Sequence, residues 1–200
     1  MKEEKFQKYQ LILQAITALG TLGLAISILV SLYGIRQEHE WNRRKHTVEI
    51  IGGFEDHVAK YRPVLTNSFR ALYEGNKRGK LDSDTAKRIW KLEVQQDSEF
   101  EFMKDQEKIK EVRGQLIGLF NYMEFLVLSY NENVVDQDSF KKSLADPIIH
   151  YHTYLEEFIN ASQSPEILGY RNWQPVSDFV TDIKKERMKS SSNTKEPTGK

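Results

Sequence analysis

The sequence contains no cysteine, which excludes disulfide bridges, thiol nucleophiles and thiolate metal sites. It also lacks net charge, because Lys plus Arg and Asp plus Glu number 29 each. No overall field therefore draws the chain to nucleic acid, and any electrostatic function must be local. There is no Gly-x-Ser-x-Gly, no glycine-rich phosphate loop and no Walker pattern, so nucleophilic and nucleotide chemistry have no motif behind them. Metal spacing is missing too. No Glu is followed three residues later by His, the pairing that di-iron carboxylate bundles require. His46-x-x-Glu49 is the reverse order, while His150 and His152 stand two apart and point to different sides of a helix. With His39 and His57 they are read as solvated or interfacial residues. The expectation is a non-enzymatic chain with no metal and no cofactor. No strand pattern of convincing length and no internal repeat is present.

What the sequence does contain is one long uncharged run, Leu11 to Ile35, flanked by Lys2, Lys5 and Lys8 before it and Arg36 after it. At about 1.5 Å per residue this run exceeds the hydrocarbon core of roughly 30 Å, which marks a tilted transmembrane helix. A secretory signal is the competing reading. Ala18-Leu19-Gly20 offers small residues for cleavage, but Gln14 interrupts the short apolar region before it and apolar sequence continues past it. An uncleaved anchor fits the length better. For topology, Lys2, Lys5 and Lys8 on one flank face Arg36, Arg43, Arg44 and Lys45 on the other; the count leans to a cytoplasmic domain.

Within the run, Gly20, Gly23, Ser27 and Ser31 fall on one helical stripe, which suits close packing of transmembrane helices or simply faces lipid. Trp41, Arg43, Arg44 and Lys45 follow where a membrane interface would lie, a combination suited to headgroups. With no proline between Arg36 and Tyr61, the anchor is expected to continue into a helix that Pro63 kinks or ends near Tyr61. The division expected is a polar head over 1–10, the transmembrane helix over 11–35, a helical bundle over 36–188 and a disordered basic tail over 189–200.

Along the bundle, Ile51, Phe54 and Val58 give the first amphipathic face. A loop from Glu74 to Asp84 ends in an N-cap signal before a helix through Ala86, Ile89 and Trp90. Phe100, Phe102 and Met103 have no periodicity that places them. From Asp105 to Asn131, Ile109, Val112, Leu116, Leu119, Met123, Leu126 and Tyr130 alternate spacings of three and four. Ile117, Phe120, Phe125, Val127 and Leu128 fill the other sides, so this is the expected central, fully buried helix. Asp136 or Asp138 can cap a short helix through Phe140 and Leu144, and Asp146-Pro147 is expected to start another through Ile148, Tyr151 and Leu155. Pro175 opens a last helix bearing Trp173, Val176, Phe179, Val180 and Ile183. The fold class is all-α: an N-terminal transmembrane helix continuing into a soluble bundle of about five or six helices.

Asn121 and Glu124 stand out as polar residues one turn apart inside the most apolar helix. A buried carboxylate there costs several kcal/mol unless it is paired, hydrogen-bonded or protonated. As a functional pair they would line a pocket or a protonation switch; as a structural pair they would fix helix register through Arg62, Arg70 or Arg171. One carboxylate and one amide without further partners favour structure.

At Leu119 to Phe140 the sequence resembles a bacterial family of membrane-anchored helical proteins known as the domain of unknown function 4760 family. The likeness rests on an N-terminal span ending at Arg36-Gln37, then Asn121-Tyr122-x-Glu124, an acidic turn at Asp136 and a late Trp173. Two departures are visible. An arginine expected soon after Leu155 appears only as Arg171, and the tail is longer and more basic. The resemblance implies a bacterial inner-membrane protein with a cytoplasmic helical domain and brings no activity. It raises Asn121 and Glu124 as positions to test. Combined with the motifs, it leads to the expectation of a single-pass, membrane-anchored interaction or regulatory module. Its expected partners are the lipid bilayer, an unidentified protein and further copies of itself, with no nucleic acid. The alternative is a membrane-perturbing stress or phage-defence effector that self-associates through its transmembrane helix.

Overall fold

The computed structural model describes residues 2–69, 80–165, 167 and 173–193. All regular structure among them is helical, as an apolar pattern of spacing three and four dictates. The chain divides into two compact units, Met1–Lys45 and His46–Lys200, and each is taken by itself.

In the first unit the regular element is the helix α1, which runs along the chain from Lys2 to Ala59. No proline and no cap signal interrupts it before its end. Within Leu19 to Lys45 nearly every side chain is exposed, including Leu22 at 59% and Leu24 at 64%.

The second unit has a core. Residues of α1 from His46 onward bury Thr47, Ile50, Phe54 and Val58. Phe54 and Val58 are buried as expected, while Ile50 takes the inside place expected of Ile51, which is half-buried. The helix stops at Ala59, and Pro63, which has no N–H to give, stands before a π-helical turn over Val64–Ser68. That is the interruption the proline predicts.

Helix α2 spans Ser83–Lys91 and starts at the expected cap, where the Thr85 N–H donates to Asp82 Oδ1 at 2.9 Å. Burial pushes the Asp82 carboxyl up, but hydrogen bonds from Thr85 outweigh it and hold the group below its ordinary value. Phe100, Phe102 and Met103 lie at a 3₁₀ turn over Glu101–Lys104 and are all buried; Phe69 meets both phenylalanines edge-on. A turn too short for periodicity explains why their pattern was illegible.

Helix α3, Gln106–Asn131, is capped by Asp105, which accepts from Glu107 N–H at 2.9 Å. Ile109, Val112, Leu116, Leu119, Met123 and Leu126 are all buried. The expectation of burial on every side is corrected: Phe125 is 51% and Leu128 is 43% exposed.

Helix α4, Gln137–Ser162, begins at Asp136, whose Oδ1 accepts from Ser139 N–H at 3.0 Å. The expected restart at Asp146-Pro147 is also corrected, since Pro147 lies inside this one helix. An interior proline costs about 3 kcal/mol, but Leu144, Ala145 and Ile148 are buried around it. At about 1.5–3 kcal/mol for each large apolar side chain, their burial outweighs the break. Asp146 does not cap; it accepts from Arg187 Nη1 at 2.6 Å. The helix departs from ideal geometry later, at Leu155 (φ −110°, ψ 16°), beside the Tyr154 carbonyl that accepts from Leu81 N–H at 3.1 Å.

Helix α5 spans Gln174–Asn193, so the helix extends beyond Lys189, where a disordered tail was expected. Residues 194–200 lie outside the described ones, as do Leu72, most of the loop expected from Glu74, Arg70 and Arg171. Val176, Phe179, Val180 and Ile183 bury the expected face.

Candidate functional site

The Asn121-Tyr122-x-Glu124 segment lies on α3, and its residues serve three different surroundings. Asn121 is exposed, yet its Oδ1 accepts from Trp173 Nε1 at 2.8 Å. Trp173 is 1% exposed and has a left-handed backbone (φ 42°), a conformation that costs a bulky residue free energy. Its ring offsets that cost by lying 5.0 Å from Phe120, 6.1 Å from Phe158 and 6.2 Å from Trp90. Trp90 is fastened in turn, its Nε1 donating to the Phe158 carbonyl at 2.7 Å and its own carbonyl accepting from Arg113 Nη1 at 2.8 Å. Asn121 thus holds the entry to α5 on α3.

Tyr122 faces the other way. Its ring stacks on His57 with centroids 4.4 Å apart and 10° between planes, and Phe54 follows at 6.3 Å. One turn before it, a Cβ on Gly118 would meet the Tyr61 ring and hydroxyl at 3.0 Å. Phe54, His57 and Tyr61, spaced three and four apart, therefore dock on Gly118 and Tyr122, spaced four apart: one helical face against another. Burial, and then the neighbouring Tyr61, push the Tyr122 hydroxyl above its ordinary value.

Glu124 is half-buried and makes no hydrogen bond or ion pair with another described residue. The expectation of a buried polar pair is corrected on both members, because Asn121 is exposed and Glu124 keeps contact with solvent. Arg62, one of the expected partners, donates instead to Glu55 at 2.6 Å. The contacts of Asn121 and Tyr122 tie helices together.

In the first unit, nothing lies within 4 Å of a Cβ built on Gly20 or Gly23, and Ser27 and Ser31 are exposed. Trp41 is 69% exposed; Arg43, Arg44 and Lys45 are exposed as well. Arg36 reaches Glu40 at 3.5 Å. Among the described residues no group of three or more His, Asp or Glu could hold a metal ion.

Of the histidines expected to be solvated or interfacial, one is buried between two helices. His152 is 7% exposed, its Nε2 lies 3.1 Å from Ser177 Oγ, and its Nδ1 has no hydrogen-bond partner among the described residues. Burial is the first cause holding its ring below the ordinary histidine value. The signal was present in the spacing: Ile148, His152 and Leu155 stand four and three apart on the apolar face of α4.

A family model described as a domain of unknown function (DUF4760) matches residues 21–172. No curated protein and no solved structure matches the chain.

Proposed function

The chain belongs to the DUF4760 family, and from that premise we propose that it is a membrane-anchored, non-enzymatic helical module whose bundle works by binding another protein. The observation that carries the reading is in α1. An 18-residue window between Leu19 and Ala59 has a mean hydropathy of 1.6, and none of it is buried. At about 25 cal/mol per Å² of apolar surface, water is a poor surrounding for such a helix, and hydrocarbon is a good one. Trp41 with Arg43, Arg44 and Lys45 suits the headgroup zone. The resemblance supports a bacterial inner membrane, and the Lys and Arg count supports a cytoplasmic bundle.

The site geometry supports binding over catalysis. Asn121, Tyr122 and Gly118 spend their chemistry on holding α1 and the start of α5 to α3. A C-terminal topology reporter followed by crosslinking in native membranes tests the proposal. A cytoplasmic bundle that crosslinks to one recurring protein is the expected result; a translocated bundle, or no crosslinked partner, contradicts it.

The open stripe of Gly20, Gly23, Ser27 and Ser31 favours a second reading, an effector that assembles through its transmembrane helix and perturbs the membrane. Dye entry into cells that overproduce the chain is expected only on that reading.

A further inference from the structure

His152 on α4 faces α5 across a buried contact, and its ring is only half satisfied. A neutral imidazole has one N–H and one bare nitrogen. If Nε2 carries the proton, it donates to Ser177 Oγ and Nδ1 is an unpaired acceptor; if Nδ1 carries it, Ser177 donates to Nε2 and the Nδ1–H is unpaired. A second proton makes both nitrogens donors and adds a charge. Nδ1 then needs an acceptor, and it has none among the described residues.

The charges acting on the ring, among the described residues, come from three elements. Glu156 lies one turn later on α4 itself, Lys184 is on α5, and Lys80 precedes α2. Glu156 is the natural counter-ion for a charged His152, but Lys80 Nζ holds its Oε2 at 3.1 Å. The two lysines oppose a third cation. Two ion pairs also tie α4 to α5, Lys141 with Glu186 at 2.9 Å and Arg187 with Asp146 at 2.6 Å.

We propose that His152 is a proton-operated release for the last helix: when its ring takes a second proton, α5 loosens from α4. The sign follows from linkage. Because burial depresses the folded-state value, an opened α5 binds more protons than a docked one between that value and the ordinary histidine value. Docking is at full strength above the ordinary value and is lost as pH falls below it. One proton sets the limit, up to about a tenfold change in opening per pH unit below roughly 6.5. The freed surface is apolar, since Val176, Phe179, Val180 and Ile183 line that side of α5. Acidification would thus expose an amphipathic helix to a partner. The inference does not depend on the membrane reading, because every residue in it belongs to the bundle.

Amide hydrogen exchange of Val176 to Ile183 in the full chain, in detergent micelles, tests it. The comparison is between about pH 7.5 and pH 5.5, corrected for the intrinsic rate, in the wild type and in His152→Gln. Protection is expected to fall in the wild type by up to about tenfold per pH unit and to stay flat in His152→Gln. An equal fall in both chains overturns the proposal, as does no fall in the wild type. If His152→Gln does not fold, a proton NMR titration of the His152 ring in the wild type decides instead. A ring that titrates below the ordinary histidine value supports the release, and one at or above it overturns it.

Discussion

Leu22 and Leu24 in the N-terminal unit are 59% and 64% exposed, whereas Leu119 and Leu126 in the bundle are completely buried. The residue type is the same and the helix geometry is the same. What differs is the set of neighbours along each helix. Leu119 is backed by apolar positions three and four residues away and has other helices to meet; Leu22 is surrounded by apolar residues on every side and has no other element of its unit beside it. An amphipathic stripe can be covered by a few neighbouring helices, but a helix apolar all round needs a surrounding medium. The contrast makes the bundle a product of water and the N-terminal helix a candidate for lipid.

The sharpest way to test that contrast is to damage each side separately. Phe120→Ala removes a ring that is 0% exposed and lies between Phe158 and Trp173. We expect a loss of about 3–5 kcal/mol in bundle stability by denaturant unfolding, with membrane association unchanged. Leu24→Arg should do the reverse. It costs about 2.5–3.5 kcal/mol of insertion at the centre of a span, and the fraction recovered with membranes should drop while bundle unfolding stays put.

The glycines give a finer comparison. A methyl on Gly118 would press on Tyr61 at 3.0 Å, whereas one on Gly23 meets nothing within 4 Å. Gly118→Ala gains about 1 kcal/mol of helix propensity but crowds the Tyr61 ring, so a net loss of at most about 2 kcal/mol in bundle stability is expected in thermal or denaturant melts. Gly23→Ala should leave it within measurement error. The smallest effect belongs to Glu124→Gln. A half-buried carboxylate with no described partner has little to lose, so a change within about 0.5 kcal/mol is expected in the same melts. A large loss there would reinstate the ion pair that the sequence suggested.

Much of the fold was legible because it rests on local rules. The buried row Ile109, Val112, Leu116, Leu119, Met123 and Leu126 follows helical spacing, and Asp82, Asp105 and Asp136 cap helices where their side chains can reach free N–H groups. The failures came where tertiary packing overrode local preference. Pro147 should have started a helix, but buried neighbours on both sides carry α4 through it. Phe125 and Leu128 look like core residues by type, yet they stay 51% and 43% exposed. Spacing could place Asn121 and Glu124 on a helix but not tell which side the bundle leaves open. Trp173, fifty-two positions from Asn121, was beyond any local rule. His152 was the reverse case: it shares the apolar face of α4 with Ile148 and Leu155, a spacing that marks burial even for a histidine.

The most direct measurement on the central claim is alkaline carbonate extraction of membranes carrying the full chain, combined with an intact mass of the recovered protein. A transmembrane Leu11 to Ile35 predicts that the chain stays in the membrane pellet with its N-terminus uncleaved. Release into the supernatant, or loss of the residues up to the Ala18-Leu19-Gly20 region, would contradict it.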